Sequence, residues 1–225
     1  MFEMALGDER SVMPIERDTA KPFVERIYYL RTNLCVQEEK KEKAMKISVI
    51  EAPADLDWAE VKRRALVTVG KNAIYAPTAE WKRSILSARH SPIRYLRFSF
   101  LIEGVPSWVS VHLCRHVHAQ PYVRSQRNDR QNGYDRNKAP QDVPVDMIWD
   151  MNAEELMVIA NKRLCRMAAK ETREVVKEMC KKVVAVCPEF EPFLVPMCEY
   201  NSGVCHEMNG GCGRYNGKER TEDDR

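Results

Sequence analysis

The sequence predicts a mixed α/β domain, and three observations lead there. Two runs rich in β-branched and aromatic residues, 45–53 and 94–104, read as strands. Longer stretches repeat apolar residues at the 3.6-residue period of helices. No run approaches the roughly 18 consecutive apolar residues of a membrane-crossing helix. The chain has 225 residues, 44% hydrophobic and 31% charged, which is material for one large domain with appendages.

The elements follow in order. Residues 1–44 form an N-terminal extension in which VERIYYLRTNLCV suits a short helix and EEKKEKA is a solvated charge run. MKISVIEAP from Met45 is a strand. DLDWAEVKRRALVTV is a helix capped at Asp55 or Asp57, with Trp58, Val61 and Ala65 in phase, ending before Gly70. TAEWKRSILSARHSP is a second helix, with Thr78 as its cap and a stop at Pro92. RYLRFSFLIEG alternates Leu96, Phe98, Phe100 and Ile102 against Tyr95, Arg97 and Ser99, which makes a strand with one apolar face. Pro106 opens a helix running PSWVSVHLCRHVH. Residues 119–145 are polar, rich in Asn and Pro, and read as a long irregular segment of the kind that carries function. A long helical region resumes at Asn152 and keeps its period up to Pro188.

Charge and leader signals bound the function. With 36 basic and 33 acidic residues the net charge is +3, so no global field gathers a nucleic acid polymer or an anionic membrane. The opening MFEMALGDERSV is acidic where a secretory leader is basic, and the expected compartment is the cytoplasm. Any anion site is local. Arg115, His116, His118, Arg124, Arg127, Arg130, Arg136 and Lys138 crowd one segment, opposed by Asp129 and Asp135. Guanidinium forks at this density suit a small phosphorylated ligand, and a solvated basic loop is the alternative.

At these residues the chain resembles the flavin-dependent thymidylate synthases. Their signature RHRxxSxNExSxR is similar to RHVHAQPYVRSQR at 115–127, matching at Arg115, His116, Ser125 and Arg127. ALVTVGK (65–71) resembles ARVSYGK, and RHSPIRYLRFSF (89–100) resembles HxTPFEHxxFTF. RNKAP (136–140) is similar to RxxLP, MNAEELMVIANKR (151–163) to VNARSLMNFLNLR, and AAKETR (168–173) to AQxEIR. The resemblance implies a largely antiparallel sheet flanked by helices, a catalytic domain over 45–188, and a homotetramer with sites shared between subunits. It implies FAD as cofactor, held by Thr68, Ser91, Arg115, His116 and Asn152. The substrate dUMP would be held by Ser125, Arg127, Arg136 and Arg163, with NADPH and methylenetetrahydrofolate as cosubstrates. Arg163 and Ser125 would act on the substrate, and His112, at helical spacing from Arg115, is a candidate donor or proton carrier.

The departures are as informative. Val117, Gln120, Tyr122 and Val123 break the signature, and His112 stands where a glutamine is usual. Arg94 replaces a glutamate and Glu154 an arginine, an exchange of sign at two positions. These changes open a second reading, a related pyrimidine nucleotide modification such as hydroxymethylation.

Residues 189–225 form a cysteine-rich tail. Cys187, Cys198, Cys205 and Cys212 lie close in sequence, beside His206 and among Gly203, Gly210, Gly211 and Gly213. Four thiolates make a candidate structural zinc site. Disulfides or free thiols are the competing readings, and a non-catalytic relative whose zinc tail binds a partner is the third functional class.

Overall fold

The structure, a computed structural model, describes residues 45–72, 75–130 and 133–214. Its centre is a four-stranded antiparallel sheet in the order β1-β2-β4-β3. The strands are β1 (Lys46–Glu51), β2 (Arg97–Pro106), β3 (Gln120–Val123) and β4 (Pro144–Asn152). Among the described residues six α-helices flank it: α1 (Asp55–Val67), α2 (Ala79–Ser87), α3 (Ser107–Leu113), α4 (Ala153–Arg163), α5 (Lys170–Val186) and α6 (Met197–Tyr200). The expected α/β class with an antiparallel sheet is the one observed.

Alternation explains the sheet. Phe98, Phe100 and Ile102 of β2 are buried opposite Met151, Trp149 and Met147 of β4, so both central strands send every second side chain into one core. A bulge between Ile102 and Val105 shifts this phase and puts Val105 inside as well. Gly104 sits there at φ +68°, in the left-handed region, and its N–H donates to Asp146 Oδ1 at 2.8 Å. On the other face the Ser99 hydroxyl donates to Asp150 across the same pair of strands, at 2.5 Å.

The helix starts follow capping chemistry. Thr78 Oγ1 accepts from Trp81 N–H at 3.3 Å, as expected of the α2 cap. Asn152 Oδ1 accepts from Glu155 N–H at 2.9 Å and fixes the entry of α4 at the end of β4. At α1, Asp57 reaches back to accept from Ala54 N–H at 2.8 Å.

Three sequence expectations are corrected. The helix opened by Pro106 ends at Leu113 and does not reach His118, because the chain folds into consecutive turns closed by His116 N–H on Leu113 O and Ala119 N–H on His116 O before entering β3. The segment 119–145 is not wholly irregular: it contains β3 and leads into β4, whose buried Val145, Met147, Trp149 and Met151 form an alternating strand pattern. The long helical region after Asn152 is two helices. The Arg173 guanidinium donates to the carbonyls of Arg166 and Ala168 and stabilises the break between them.

The core continues past residue 188. Phe190 is fully buried between Trp58, 6.1 Å away, and Phe98, which meets it edge-on at 5.3 Å; Phe193 and Leu194 join the same cluster. Arg89, at φ +46°, donates through Nε to the Tyr200 hydroxyl at 3.0 Å and also bonds Asn161 Oδ1. The Asn161 amide in turn donates to the carbonyls of Phe193 at 3.3 Å and Val195 at 2.7 Å. The first residues of the expected tail are therefore part of the domain. The extension 1–44 and the end of the tail, 215–225, lie outside the described residues.

Candidate functional site

Two sets of expected site residues come together, in two different places. The first is a buried chain of hydrogen bonds under the end of α3. His116, only 9% exposed, has Nδ1 at 3.2 Å from Glu155 Oε1, and its Nε2 accepts from Arg163 Nε at 2.9 Å. Arg163 also donates through Nη2 to the His112 carbonyl at 2.9 Å. His112 itself has Nδ1 at 3.2 Å from Thr172 Oγ1 and its ring edge-on to Trp108. Burial and the nearby Arg163 and Lys162 charges hold the His116 pKa down at about 4, so the ring is neutral at neutral pH. Burial acts oppositely on Glu155, raising its pKa, with Glu154 adding to the rise and His118 opposing it. Burial, then the Arg115 charge, lowers that of Arg163.

The second set is exposed. Arg124, Ser125, Arg127 and Arg130 line one open concavity, and Arg127, Asn128, Asp129, Arg136 and Asn137 line another beside it. Arg127 is common to both. The loop is ordered by its own backbone donors: Arg127 N–H donates to Ser125 Oγ at 3.3 Å and Arg136 N–H to Asn128 Oδ1 at 2.9 Å. The Arg127 guanidinium forks onto Asp129 at 2.9 and 2.7 Å. Ser125 and Arg136 thus line adjoining concavities that share Arg127, whereas Arg163 lines neither.

The expected flavin contacts divide. Thr68, at the end of α1, Ser91 and Arg115 are exposed donors, although the Thr68 hydroxyl already donates to Ala65 O at 2.8 Å. The oxygen of Asn152 caps α4 and leaves its amide group as donor. His116 differs from the rest: it is buried and both ring nitrogens are engaged by side chains. Beside the start of α4, Arg94 and Glu154 pair directly. The two positions read as sign exchanges are joined in one ion pair, which a single sequence could not establish. Arg94 also lines a concavity with Glu51, Ala52, Asp57, Tyr95 and Arg97.

The four tail cysteines are not assembled into a metal site: among the described residues no group of three or more His, Cys, Asp or Glu side chains is placed to hold an ion. The physical reason is clearest at Cys187. It ends α5, is buried in the core, and its Sγ faces the Pro53 carbonyl at 3.8 Å. Burial pushes its thiol up to about 11, with the Glu189 charge adding to the rise. Cys198, Cys205 and Cys212 are free thiols.

Sequence reasoning missed Glu155. Its signal was an acidic residue in the first turn of the helix, on the apolar face that also carries Leu156 and Ile159, where a buried carboxylate needs a partner.

Residues 132–189 match the family model described as thymidylate synthase complementing protein. The match covers β4, α4 and α5, and with them Arg136, Asn152 and Arg163; the Arg115–Arg127 signature precedes it. The fold is similar to that of a UMP/dUMP methylase, PolB, from Streptomyces cacaoi, solved with 5-Br dUMP bound. The TM-score is 0.54 at 17% identity, over 68% of this chain and 97% of that one. No curated protein sequence matches the chain. Among the described residues no helix is long and apolar enough to cross a membrane.

Proposed function

We propose that this protein is a thymidylate synthase-like enzyme that adds a one-carbon unit to C5 of dUMP, using FAD, methylenetetrahydrofolate and NADPH-derived reducing equivalents. The observation that carries the reading is the placing of Ser125, Arg127 and Arg136 around adjoining concavities in a chain whose residues 132–189 match the thymidylate synthase complementing protein model. Several guanidinium forks and a hydroxyl on an open surface suit the dianionic phosphate of a nucleotide.

Each side chain has a distinct task in this reading. Ser125 and Arg127 hold the phosphate, and Arg136 closes over it from the second concavity. Arg163, held by His116 and the His112 carbonyl, stabilises negative charge that develops on the pyrimidine ring. Because Arg163 lines neither arginine concavity of its own chain, a shared site in a homotetramer gives it a natural partner in the Arg127 of another subunit. His112, half-buried near Thr172, is the proton carrier.

The donor set suits FAD in chemistry. Thr68, Ser91, Arg115 and the Asn152 amide are hydroxyl, cationic and amide donors of the kind a diphosphate and a flavin ring take up. His116 does not fit a direct hydrogen bond to it, and its task is to support Arg163. When bound, FAD supplies the redox chemistry, and the protein's part is to bind, orient and polarise. The free thiols accord with a cytoplasmic enzyme.

A second reading, hydroxymethylation of a pyrimidine nucleotide, is favoured by Val117 and Val123, which are 83% and 37% exposed where the resemblance places an arginine and a glutamate. The test is the visible spectrum of the purified protein with FAD and dUMP, followed by product analysis with dUMP and dCMP. Retained flavin bands that shift on adding dUMP, and dTMP formed only with all cosubstrates, are the expected results. A protein that takes up neither FAD nor dUMP would overturn the enzyme reading.

A further inference from the structure

The chain of hydrogen bonds through His116 has a direction that elementary chemistry fixes. A guanidinium has donors only, so the bond of Arg163 Nε to His116 Nε2 at 2.9 Å requires a lone pair on that nitrogen. A neutral imidazole with Nε2 unprotonated carries its proton on Nδ1. That proton then lies between Nδ1 and Glu155 Oε1, 3.2 Å away. Glu155 is 5% exposed, in the first turn of α4, and Arg163 is in the last turn of the same helix. His116 bridges the two ends from outside the helix.

We infer that Glu155 is a positioning residue of the nucleotide site: by accepting the Nδ1 proton of His116 it keeps the Nε2 lone pair aimed at Arg163 and holds that guanidinium in one place. The inference rests on the proposed role of Arg163 toward the pyrimidine. Holding matters because a long arginine side chain loses rotamer freedom when it binds, and a guanidinium already fixed at Nε and Nη2 has less to lose. Without the Nδ1 acceptor the imidazole is free to move its proton to Nε2, where two donors would face each other and Arg163 would be pushed away.

The test compares wild type, Glu155→Gln and Glu155→Leu. Histidine-labelled protein gives the His116 tautomer by long-range proton–nitrogen NMR, and calorimetric titration gives the dUMP dissociation constant. Wild type and Glu155→Gln, which keeps an acceptor oxygen, are expected to hold the Nδ1–H form and similar affinity. Glu155→Leu is expected to lose that form and bind dUMP about tenfold more weakly, the scale of one hydrogen bond to a charged network. A merely structural role would lower stability without moving the tautomer. An Nε2–H tautomer in wild type overturns the inference with no substitution needed, and so does a folded Glu155→Leu protein with wild-type affinity. If wild type shows the Nδ1–H form and binds no dUMP, the nucleotide reading fails and the positioning role fails with it, while the tautomer locates the fault in that reading and not in the hydrogen-bond chain.

Discussion

Asp129 occupies the position a phosphate would want. It forks onto Arg127 at 2.9 and 2.7 Å and lies 3.8 Å from Arg130 Nε, with the Arg127 and Asp129 side chains 62% and 57% exposed. A phosphate docking on the same guanidinium comes within roughly 5 Å of the carboxylate, where two unit charges in water repel by ~0.8 kcal/mol. For a near-dianion that is ~1.5 kcal/mol, falling to about 1 kcal/mol at 0.1 M salt. Releasing Arg127 from an exposed pair adds about 0–1 kcal/mol. The Asp129→Asn protein should therefore bind dUMP more tightly by ~1–2 kcal/mol, or about 5- to 30-fold. Calorimetric titration measures this, and repetition at high salt should shrink the gain because both contributions are screened. An affinity unchanged or weakened by Asp129→Asn would refute the placement of the phosphate on Arg127.

Other outcomes follow from the same geometry. Phe190→Ala should cost about 3–5 kcal/mol in urea unfolding, whereas Met208→Ala, at a side chain 99% exposed, should stay within about 0.5 kcal/mol. Alkylation followed by mass spectrometry at pH 8 should label Cys205 and Cys212 well before Cys180 and Cys187, whose thiols burial pushes up to about 12 and about 11. For His116, whose folded pKa of about 4 lies below the ordinary value of 6.5, the unfolded chain binds the extra proton between those values, so its contribution to stability is complete above pH 6.5 and is lost as pH falls toward 4. Glu155, with its raised pKa, works in the opposite sense, so the effect is read as the difference between wild type and His116→Gln, measured by unfolding from pH 7 to pH 4.

What the sequence disclosed depended on whether the signal was local. The cap Thr78, the start of a helix at Asn152, most of the strand read over 94–104 and observed over 97–106, and the crowding of Ser125, Arg127 and Arg136 along the chain were all legible, because each rests on a period or on neighbours along the chain. β4 was legible in its alternation of Val145, Met147, Trp149 and Met151 but was masked by the polar stretch before it. The break after Arg163 was hidden because both helices keep an apolar face in phase across it. The pairing of Arg94 with Glu154, and of His116 with Glu155, joins residues distant in the chain and could only be seen once folded. The cysteines show a related limit. Nearness in sequence gathers the four cysteines, whereas burial of Cys187 in the core at the end of α5, with its Sγ facing the Pro53 carbonyl, is visible only in the fold.

Helix α4 serves as a common beam. Asn161 is fastened to the segment around Phe193 and Val195 and to Arg89, and two residues further on Arg163 reaches His116. Both attachments sit within the last turn of α4, so a shift of the segment around Phe193 and Val195 is expected to move the arginine proposed to meet the pyrimidine. A bulky fusion attached close behind Tyr200 is expected to weaken dUMP binding in calorimetric titration although it touches none of the residues proposed to hold the nucleotide, which would make the segment behind α5 the mechanical reference for the site.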